Sequence, residues 1–344
     1  MKKAVFDSPL ETKALYNSLR MLGTGMNFSA EDSWKVEEFR QFELNALFDG
    51  LRVMGIVLNK PLFYQWSAHC ETPEELLDFL FLEEGLEEQS LEDEMKDHLY
   101  LLLFELWRRL IPEKRSLSLV ADEIDHVIFA FDSGKEVRDE EIENAIEEWV
   151  RLLNRLQDEG HSAKEALQAM EPYFAHNVPE FIVDFLLDVT DRGDNERFLP
   201  LFEKTRIFLT SLPLWVKVID LKFCLRDDLT LLNKKLGELV AHVLTTQGVE
   251  SEIIFCLCDI ALELDRGELF IRLLERVLPD LQEREEIDIV IDLLADFVEE
   301  RSLLALKPPF AILEKERKTK SVLFLKDKLL QIIVELKKET SVVL

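Results

Sequence analysis

Two residue pairs in the sequence have the spacing that metal centres use. Glu123 and His126 form a Glu-x-x-His pair, which on a helix places a carboxylate and an imidazole on one face, as di-iron centres require. Such a centre also needs a second pair of this kind on a facing helix, and the sequence has none. Cys256 and Cys258 could bind a soft metal, but the residues around them are apolar and include no further Cys or His. We therefore expect neither a metal nor another cofactor.

The remaining candidates do not indicate nucleophilic or phosphate chemistry. His69 and Cys70 are adjacent, so on a helix their side chains point about 100° apart and do not form a nucleophile and its base. Gly23-Thr24-Gly25 lacks the lysine that follows the glycines of a phosphate-binding loop. Because no set of nucleophile, base and oxyanion donor can be assembled, we predict that the protein is not an enzyme. A helical enzyme or metal-binding protein is the alternative.

A short aromatic segment is the first candidate for binding a partner. Phe63, Tyr64 and Trp66 occupy three of four consecutive positions, and side chains so spaced cannot all face one side of a helix. At least one of the three should therefore be exposed or lie between domains. Large aromatic side chains are frequent anchors of protein interfaces, so we regard the segment as a candidate anchor.

Two segments of opposite charge are the other candidates. Between Glu71 and Asp97 there are twelve acidic residues and one lysine, whereas between Lys307 and Lys338 nine basic residues stand against four acidic ones. Each segment is either a solvated face or a docking surface for a protein of opposite charge. The basic segment could also cap the last of the helical repeats described below with a polar outer face, or it could contact the acidic segment. The candidate binding residues are Glu83, Glu84, Glu87 and Glu88 in the acidic segment and Lys315, Arg317, Lys318 and Lys320 in the basic one.

Composition argues against several classes of protein. The chain has 41 basic and 69 acidic residues, a formal net charge of −28, so its surface repels phosphate backbones and we expect no nucleic-acid partner. An acidic decoy for a nucleic-acid-binding protein remains a further alternative. The longest purely apolar stretch, Leu99–Phe104, is too short to span a membrane. Four cysteines within apolar helical patterns do not indicate a disulfide framework, so the expected location is the reducing cytoplasm.

The local patterns predict an all-α protein. Ser8, Thr72 and Ser162 each precede a glutamate by three residues, the capping-box arrangement that begins a helix. Residues 142–156 place apolar side chains three and four positions apart with glutamates between them, which predicts a helix with one buried face. The segment 99–111 is apolar nearly all round, which predicts a central helix of the N-terminal half. No segment alternates with period two, so we expect no β-sheet.

The second half of the chain contains an internal repeat. Asp191-Arg192-Gly193 recurs 74 residues later as Asp265-Arg266-Gly267, and the apolar residues that flank the two turns match. The glycine of each turn is expected to end its helix in the left-handed conformation. A further turn falls midway near residue 228, which gives a spacing of roughly 33 to 39 residues, typical of stacked helical hairpins. The repeat resembles degenerate HEAT or tetratricopeptide units without matching a named signature.

These patterns predict an N-terminal helical domain at residues 1–131, a linker at 132–138, a solenoid-like stack of helical hairpins at 139–306 and a basic capping segment at 307–344. The polar stretch 132–138 could equally be a loop between two helices of one array. The predicted function is a protein–protein interaction module, such as an adaptor, chaperone or regulatory scaffold. Its helical-repeat surface would bind a protein partner, either a basic protein or a peptide or helix.

Overall fold

A computed structural model of the chain describes residues 39–83, 93–224, 229–301, 303 and 306–343. These residues form sixteen α-helices and two short 3-10 helices, Phe39–Gln41 and Glu171–Tyr173, and contain no β-strand. The predicted all-α class is therefore confirmed. No helix in this part of the chain is long and apolar enough to cross a membrane.

The chain divides into two compact units, which are described separately. The first unit contains the described residues up to Ile182 together with Glu203–Thr210, and the second contains Val183–Phe202 and Ser211 onwards. The helices up to the boundary are α1 (Leu44–Val53), α2 (Lys60–Ser67), α3 (Pro73–Glu83), α4 (Asp93–Leu110), α5 (Leu117–Asp132), α6 (Asp139–Asp158) and α7 (Ala163–Met170). The remaining helices are α8 (Val178–Asp191), α9 (Asn195–Thr205), α10 (Pro213–Cys224), α11 (Leu229–Thr245), α12 (Ser251–Glu263), α13 (Gly267–Val277), α14 (Arg284–Glu300), α15 (Lys307–Glu316) and α16 (Val322–Val343).

Helix α4 lies at the centre of the first unit, as its composition predicts. It packs against α1, α3 and the 3-10 helix at Phe39–Gln41, and it buries Leu103 and Trp107 completely. The sequence forms this helix because its apolar residues cover nearly the whole circumference, and such a helix is stable only when other elements surround it. Helices α5, α6 and α7 pack in succession, α5 against α6 and α6 against α7.

The predicted helix caps are formed where the structure describes them. At Ser162 both halves of a capping box are present: Glu165 N–H donates to the Ser162 hydroxyl, and Ser162 N–H donates to the Glu165 carboxylate. Thr72 accepts from Glu75 N–H, but the Glu75 carboxylate instead accepts from the N–H of Glu71. The cap predicted at Ser8 lies outside the described residues.

Polar side chains are buried mainly in the first unit. Of the nine polar or charged residues that are buried in the described chain, only Lys222 belongs to the second unit. The Glu105 carboxylate pairs with Arg108 and Arg109, and the Arg109 guanidinium also donates to the carbonyls of Phe39 and Phe42. These bonds fix the 3-10 helix at Phe39–Gln41 to α4.

Helices in the second unit pack in two alternating series. Helix α12 packs against both α10 and α14, while α13 packs against both α11 and α16. The consecutive pairs α10 with α11 and α12 with α13 also pack together. The hairpin α10–α11 thus contacts the hairpin α12–α13 through α10 with α12 and α11 with α13. The side chains between the helices form one apolar cluster that runs from Val218 to Leu336.

The two turns that carry the repeat differ in their geometry. At the first turn Gly193 is left-handed, with φ +82°, and Asp194 N–H donates to the carbonyl five residues earlier. At the second turn it is Asp265, with φ +56°, that is left-handed, and Arg266 N–H donates five residues back. Gly267 instead begins α13, so the expectation that it ends the preceding helix in the left-handed conformation was wrong. The two left-handed residues therefore lie 72 residues apart, whereas the Asp-Arg-Gly letters recur after 74.

The polar stretch 132–138 forms a short turn between α5 and α6. Gly134 has φ +65° there, and the two helices pack against each other within the first unit. The division of the chain into the domains named above stays a prediction.

Candidate interaction surface

The aromatic segment lies on α2, with its three side chains in different environments. Phe63 is fully buried and Trp66 is 8 % exposed, so both belong to the core of the first unit. Tyr64 is 42 % exposed, and the Lys60 Nζ lies 5.8 Å from the centre of its ring. The expectation that at least one of the three is exposed is thus confirmed, and Tyr64 alone offers a surface for a partner.

The side chains of the four acidic candidates lie outside the described part of the chain. Glu83 is the last residue of α3, and its side chain lies outside the described part, as do Glu84, Glu87 and Glu88. These residues stay a prediction.

The basic candidates lie on α15 and on the turn that joins it to α16, within the second unit. Lys315, Lys318 and Lys320 are exposed. The Lys320 Nζ lies 5.4 Å from the centre of the Phe324 ring, an attraction between a cation and an aromatic face. Three ammonium groups within six residues make this turn a local positive surface on an acidic protein.

Arg317 stands between these lysines, but its charge is used within the protein. Its guanidinium donates to Asp288 (Nε–Oδ1 2.9 Å) and to Asp292 (Nη1–Oδ1 2.6 Å), both on α14. The backbone carbonyl of Arg317 accepts from Arg284 at the start of the same helix. The hydrogen bond to Asp292 and the nearby carboxylates raise the pKa of Arg317 further above its ordinary value. Arg317 therefore fastens α15 to α14.

Exposed apolar side chains lie on the two helices that the basic turn joins, and sequence reasoning missed them. Ile312 on α15 is 56 % exposed, and on α16 Leu323, Leu330 and Val334 are 70 %, 40 % and 50 % exposed. The apolar spacing along α16 was visible in the sequence, but the side of the helix that faces the core follows only from how it packs against α13, α14 and α15. A surface that combines lysines with apolar side chains can bind an acidic amphipathic segment.

The two residue pairs with metal-like spacing lie on α5 and α12. Glu123 pairs with Arg115, and His126 beside it is half-buried. Cys258 is fully buried and Cys256 half-buried; burial raises the pKa of Cys256 to about 11. Across the described residues, no three His, Cys, Asp or Glu side chains lie close enough together to hold a metal ion.

A buried carboxylate in the first unit was also missed. Asp125 is fully buried on α5 and accepts three hydrogen bonds from one loop, from Ala175 N–H (2.9 Å), His176 N–H (3.1 Å) and the imidazole Nδ1 of His176 (2.9 Å). Burial raises the pKa of Asp125, and the hydrogen bonds from His176 and Ala175 oppose part of that rise. Because Ala175 and His176 lie about fifty residues after Asp125, no local sequence pattern could have predicted these hydrogen bonds.

The class of protein that these features define is an all-helical protein with a basic and partly apolar surface on its second unit. Compared with known proteins, the chain matches no family model, no curated protein and no solved structure.

Proposed function

We propose that the protein is a non-enzymatic protein–protein interaction module, an adaptor, chaperone or regulatory scaffold. Its second unit would be a solenoid-like stack of helical hairpins, and its partner would be an acidic peptide or helix that binds the basic surface around Lys318. Hairpin stacks use extended helical faces to bind proteins, since each repeat contributes one strip of a continuous surface.

A series of polar contacts between successive hairpins carries this proposal. Trp215 Nε1 donates to Glu250 over 35 residues (2.8 Å), and the Ser251 hydroxyl donates to Glu286 over another 35 (2.7 Å). Arg266 at a hairpin turn donates to Asn233 on α11 over 33 residues, and Arg301 donates to Asp265 over 36. The repeated separation, close to the predicted spacing of the turns, supports a stack in which equivalent positions of adjacent repeats touch.

Charge supports the choice of an acidic partner. The protein carries a net charge of −28, yet Lys315 near the end of α15 and Lys318 and Lys320 on the following turn are all exposed. Arg317 holds that turn on α14. A cationic surface fixed in position attracts a carboxylate-rich segment and disfavours a basic one. Ile312 and Leu323, which flank the turn in sequence, supply apolar contacts that a purely electrostatic surface would lack.

Charge reversal tests this proposal. The full chain and the triple variant Lys315→Glu, Lys318→Glu, Lys320→Glu would be used as baits in extracts of cells that naturally make the protein, with captured proteins quantified by mass spectrometry. The control reverses three exposed lysines elsewhere, Lys164→Glu, Lys217→Glu and Lys234→Glu. We expect an acidic protein whose capture falls about tenfold or more in the first variant only, since several charge-assisted contacts are lost. Equal capture by both variants would contradict the proposed surface.

Elemental analysis addresses the enzymatic and metal-binding alternative. The protein purified from its natural source should contain no stoichiometric zinc or iron. One equivalent of either metal, lost in a Glu123→Gln or Cys256→Ser variant, would favour that alternative over the interaction module.

A further inference from the structure

Helix α16 presents an apolar stripe that the described part of its own chain leaves uncovered. Leu323, Leu330 and Val334 are 70 %, 40 % and 50 % exposed, and at 100° per residue they lie within about 40° of one another around the helix. The opposite side of α16 packs into the core through fully buried residues such as Leu325, Leu329 and Leu336. The helix is therefore apolar on two sides, and only one of these sides is occupied within the unit.

Two charged residues flank the part of this stripe that contains Leu330 and Val334. Asp327 and Lys338 are exposed on one flank, with directions that differ by about 20° around the helix. They lie eleven residues apart, about 16 Å along the helix axis. Neither forms an ion pair with another residue that the structure describes.

This arrangement is self-complementary when two copies of α16 run antiparallel. A two-fold axis perpendicular to the helices, level with a point between Ile332 and Ile333, brings Asp327 of one copy level with Lys338 of the other, and does so twice. The same axis places Leu330 within about 1.5 Å, along the axis, of the level of the other copy's Val334. Because both charged residues lie on the same flank, the two-fold operation keeps them on the same side of the interface.

The charge of this region also favours a second copy. At a net charge of −28 most surfaces of two copies repel each other, but residues 322–338 contain four lysines and two acidic residues. Two of these lysines are engaged within the protein: Lys337 pairs with Glu275, and Lys326 donates to the carbonyls of Pro279 and Leu281. The exposed stripe thus carries one negative and one positive charge, so two copies meet there with little repulsion.

From this geometry we propose that the chain forms a two-fold symmetric dimer through the Leu330 and Val334 stripe of α16, with Asp327 and Lys338 paired across the interface. Because two apolar residues of each copy form the centre of the contact, we expect the dimer to exchange with monomer in the micromolar range. This inference uses α16 alone and does not depend on the binding of an acidic partner at Lys318.

Sedimentation velocity of the full chain tests the dimer over concentrations from about 1 to 200 μM, a range that covers moderate affinities. The weight-average mass should rise from one chain towards two. Leu330→Glu or Val334→Glu should keep the mass at one chain throughout, because each buries two carboxylates against apolar side chains of the other copy. The matched control, Ile289→Glu on α14, changes an apolar residue of similar exposure, 42 %, and should dimerise like the parent. Circular dichroism would verify that each variant is folded.

Charge exchange gives a second and independent readout. Asp327→Lys alone and Lys338→Asp alone should each weaken dimerisation about tenfold, since two symmetric ion pairs become two repulsive pairs. The double variant should restore the parent dimer. The proposal fails if the parent chain remains one mass at every concentration, if the dimer persists in Leu330→Glu, or if the double variant dimerises no better than the single ones.

Discussion

At Gly267 the chain has no room for a side chain. A Cβ at this position would lie 3.0 and 3.1 Å from two carbons of the Phe297 ring. Phe297 is buried and stacked on Phe270, with ring centres 4.8 Å apart, so it cannot move aside freely. The glycine therefore allows the turn before α13 to lie close against α14.

The prediction for Gly267→Ala is a loss of about 1 to 3 kcal/mol in the free energy of unfolding, as expected for overpacking. Gly237 in the middle of α11 provides a matched control, because a Cβ there meets nothing within 4 Å. Gly237→Ala should stabilise the chain by about 0.5 to 1 kcal/mol, the usual gain for a helix interior. Urea unfolding followed by circular dichroism measures both. Equal effects of the two substitutions would show that the Phe297 contact is unimportant.

Asp125 makes a prediction about pH. Burial raises its pKa in the folded chain above the unfolded value near 4, so in the interval between the two values the folded state binds more protons than the unfolded state. This contribution to stability is present below the unfolded pKa and is lost as the pH rises through the folded pKa. The amide of the Asp125→Asn variant does not bind this proton, so the stability of the variant lacks this pH dependence. The advantage in stability of the parent over Asp125→Asn should therefore shrink as the pH rises from about 4. The midpoints of urea unfolding, measured for both chains at several pH values, test this prediction. A difference between the two midpoints that widens as the pH rises would contradict it.

Thiol reactivity tests the interpretation of the cysteines as core residues. Burial raises the pKa of both Cys70 and Cys256 to about 11, so at pH 8 on the order of 0.1 % of each thiol is ionised, compared with about 25 % for a free thiol. We expect alkylation by iodoacetamide in the folded protein to be at least about 100-fold slower than in urea at both sites. Peptide mass spectrometry measures each site separately. A Cys70 or Cys256 that reacts equally fast in both states would contradict burial.

At the scale of helices, Arg317 joins α15 to α14 whereas Lys318 beside it is exposed. Arg317→Ala leaves Asp288 and Asp292 without their shared partner, and we expect a loss of about 1 to 2 kcal/mol, moderated because the guanidinium is partly solvated. Lys318→Ala should change stability by less than about 0.5 kcal/mol. Thermal unfolding of the two single variants compares them directly. Loss of stability in Lys318→Ala of the same size would contradict the assigned roles.

Local sequence patterns were enough to predict the helices but not the side-chain contacts between them. The capping box at Ser162 and the central position of α4 depend on residues within a few turns of each other, so their physical cause is visible in the sequence. The role of Arg317 depends on α14, about one hairpin earlier in the chain, and that of Asp125 on a loop beyond two further helices. The four basic residues between positions 315 and 320 cannot be distinguished from the sequence alone, because only the packing against α14 determines that Arg317 faces carboxylates.

The same limit explains the shift of the repeat. Both turns contain Asp-Arg-Gly, and matching the letters gives an offset of 74 residues, but the helix ends at the residue whose backbone is left-handed. At the second turn Asp265 takes that conformation, which aspartate tolerates better than most residues. At Gly267 the absence of a side chain matters for a different physical reason, because Phe297 lies so close. The glycine of the same Asp-Arg-Gly motif thus supplies a left-handed backbone at the first turn and space for Phe297 at the second.

For the whole molecule, net charge should control stability more than individual ion pairs. A net charge of −28 makes the folded chain repel itself. Most of the ion pairs identified among the described residues have at least one exposed partner and are worth little, as at Arg138–Glu141 and Arg206–Glu203. We expect the melting temperature to rise when sodium chloride is increased from about 20 to 200 mM, because salt screens the repulsion. Differential scanning calorimetry at neutral pH checks the direction. A fall in the melting temperature would mean that favourable pairs outweigh the repulsion.

The concentration of buried polar side chains in the first unit has a consequence for alternative folds. When donors and acceptors such as Tyr100 and Glu74 lie inside (OH–Oε1 2.8 Å), a helix that slides by one turn leaves both without a partner in an apolar interior. Misaligned packings of that unit are therefore costly. In the second unit Lys222 is the one buried polar side chain among the described residues, so this penalty is smaller there. That unit relies more on the fit of its apolar side chains and on its surface contacts to select one arrangement.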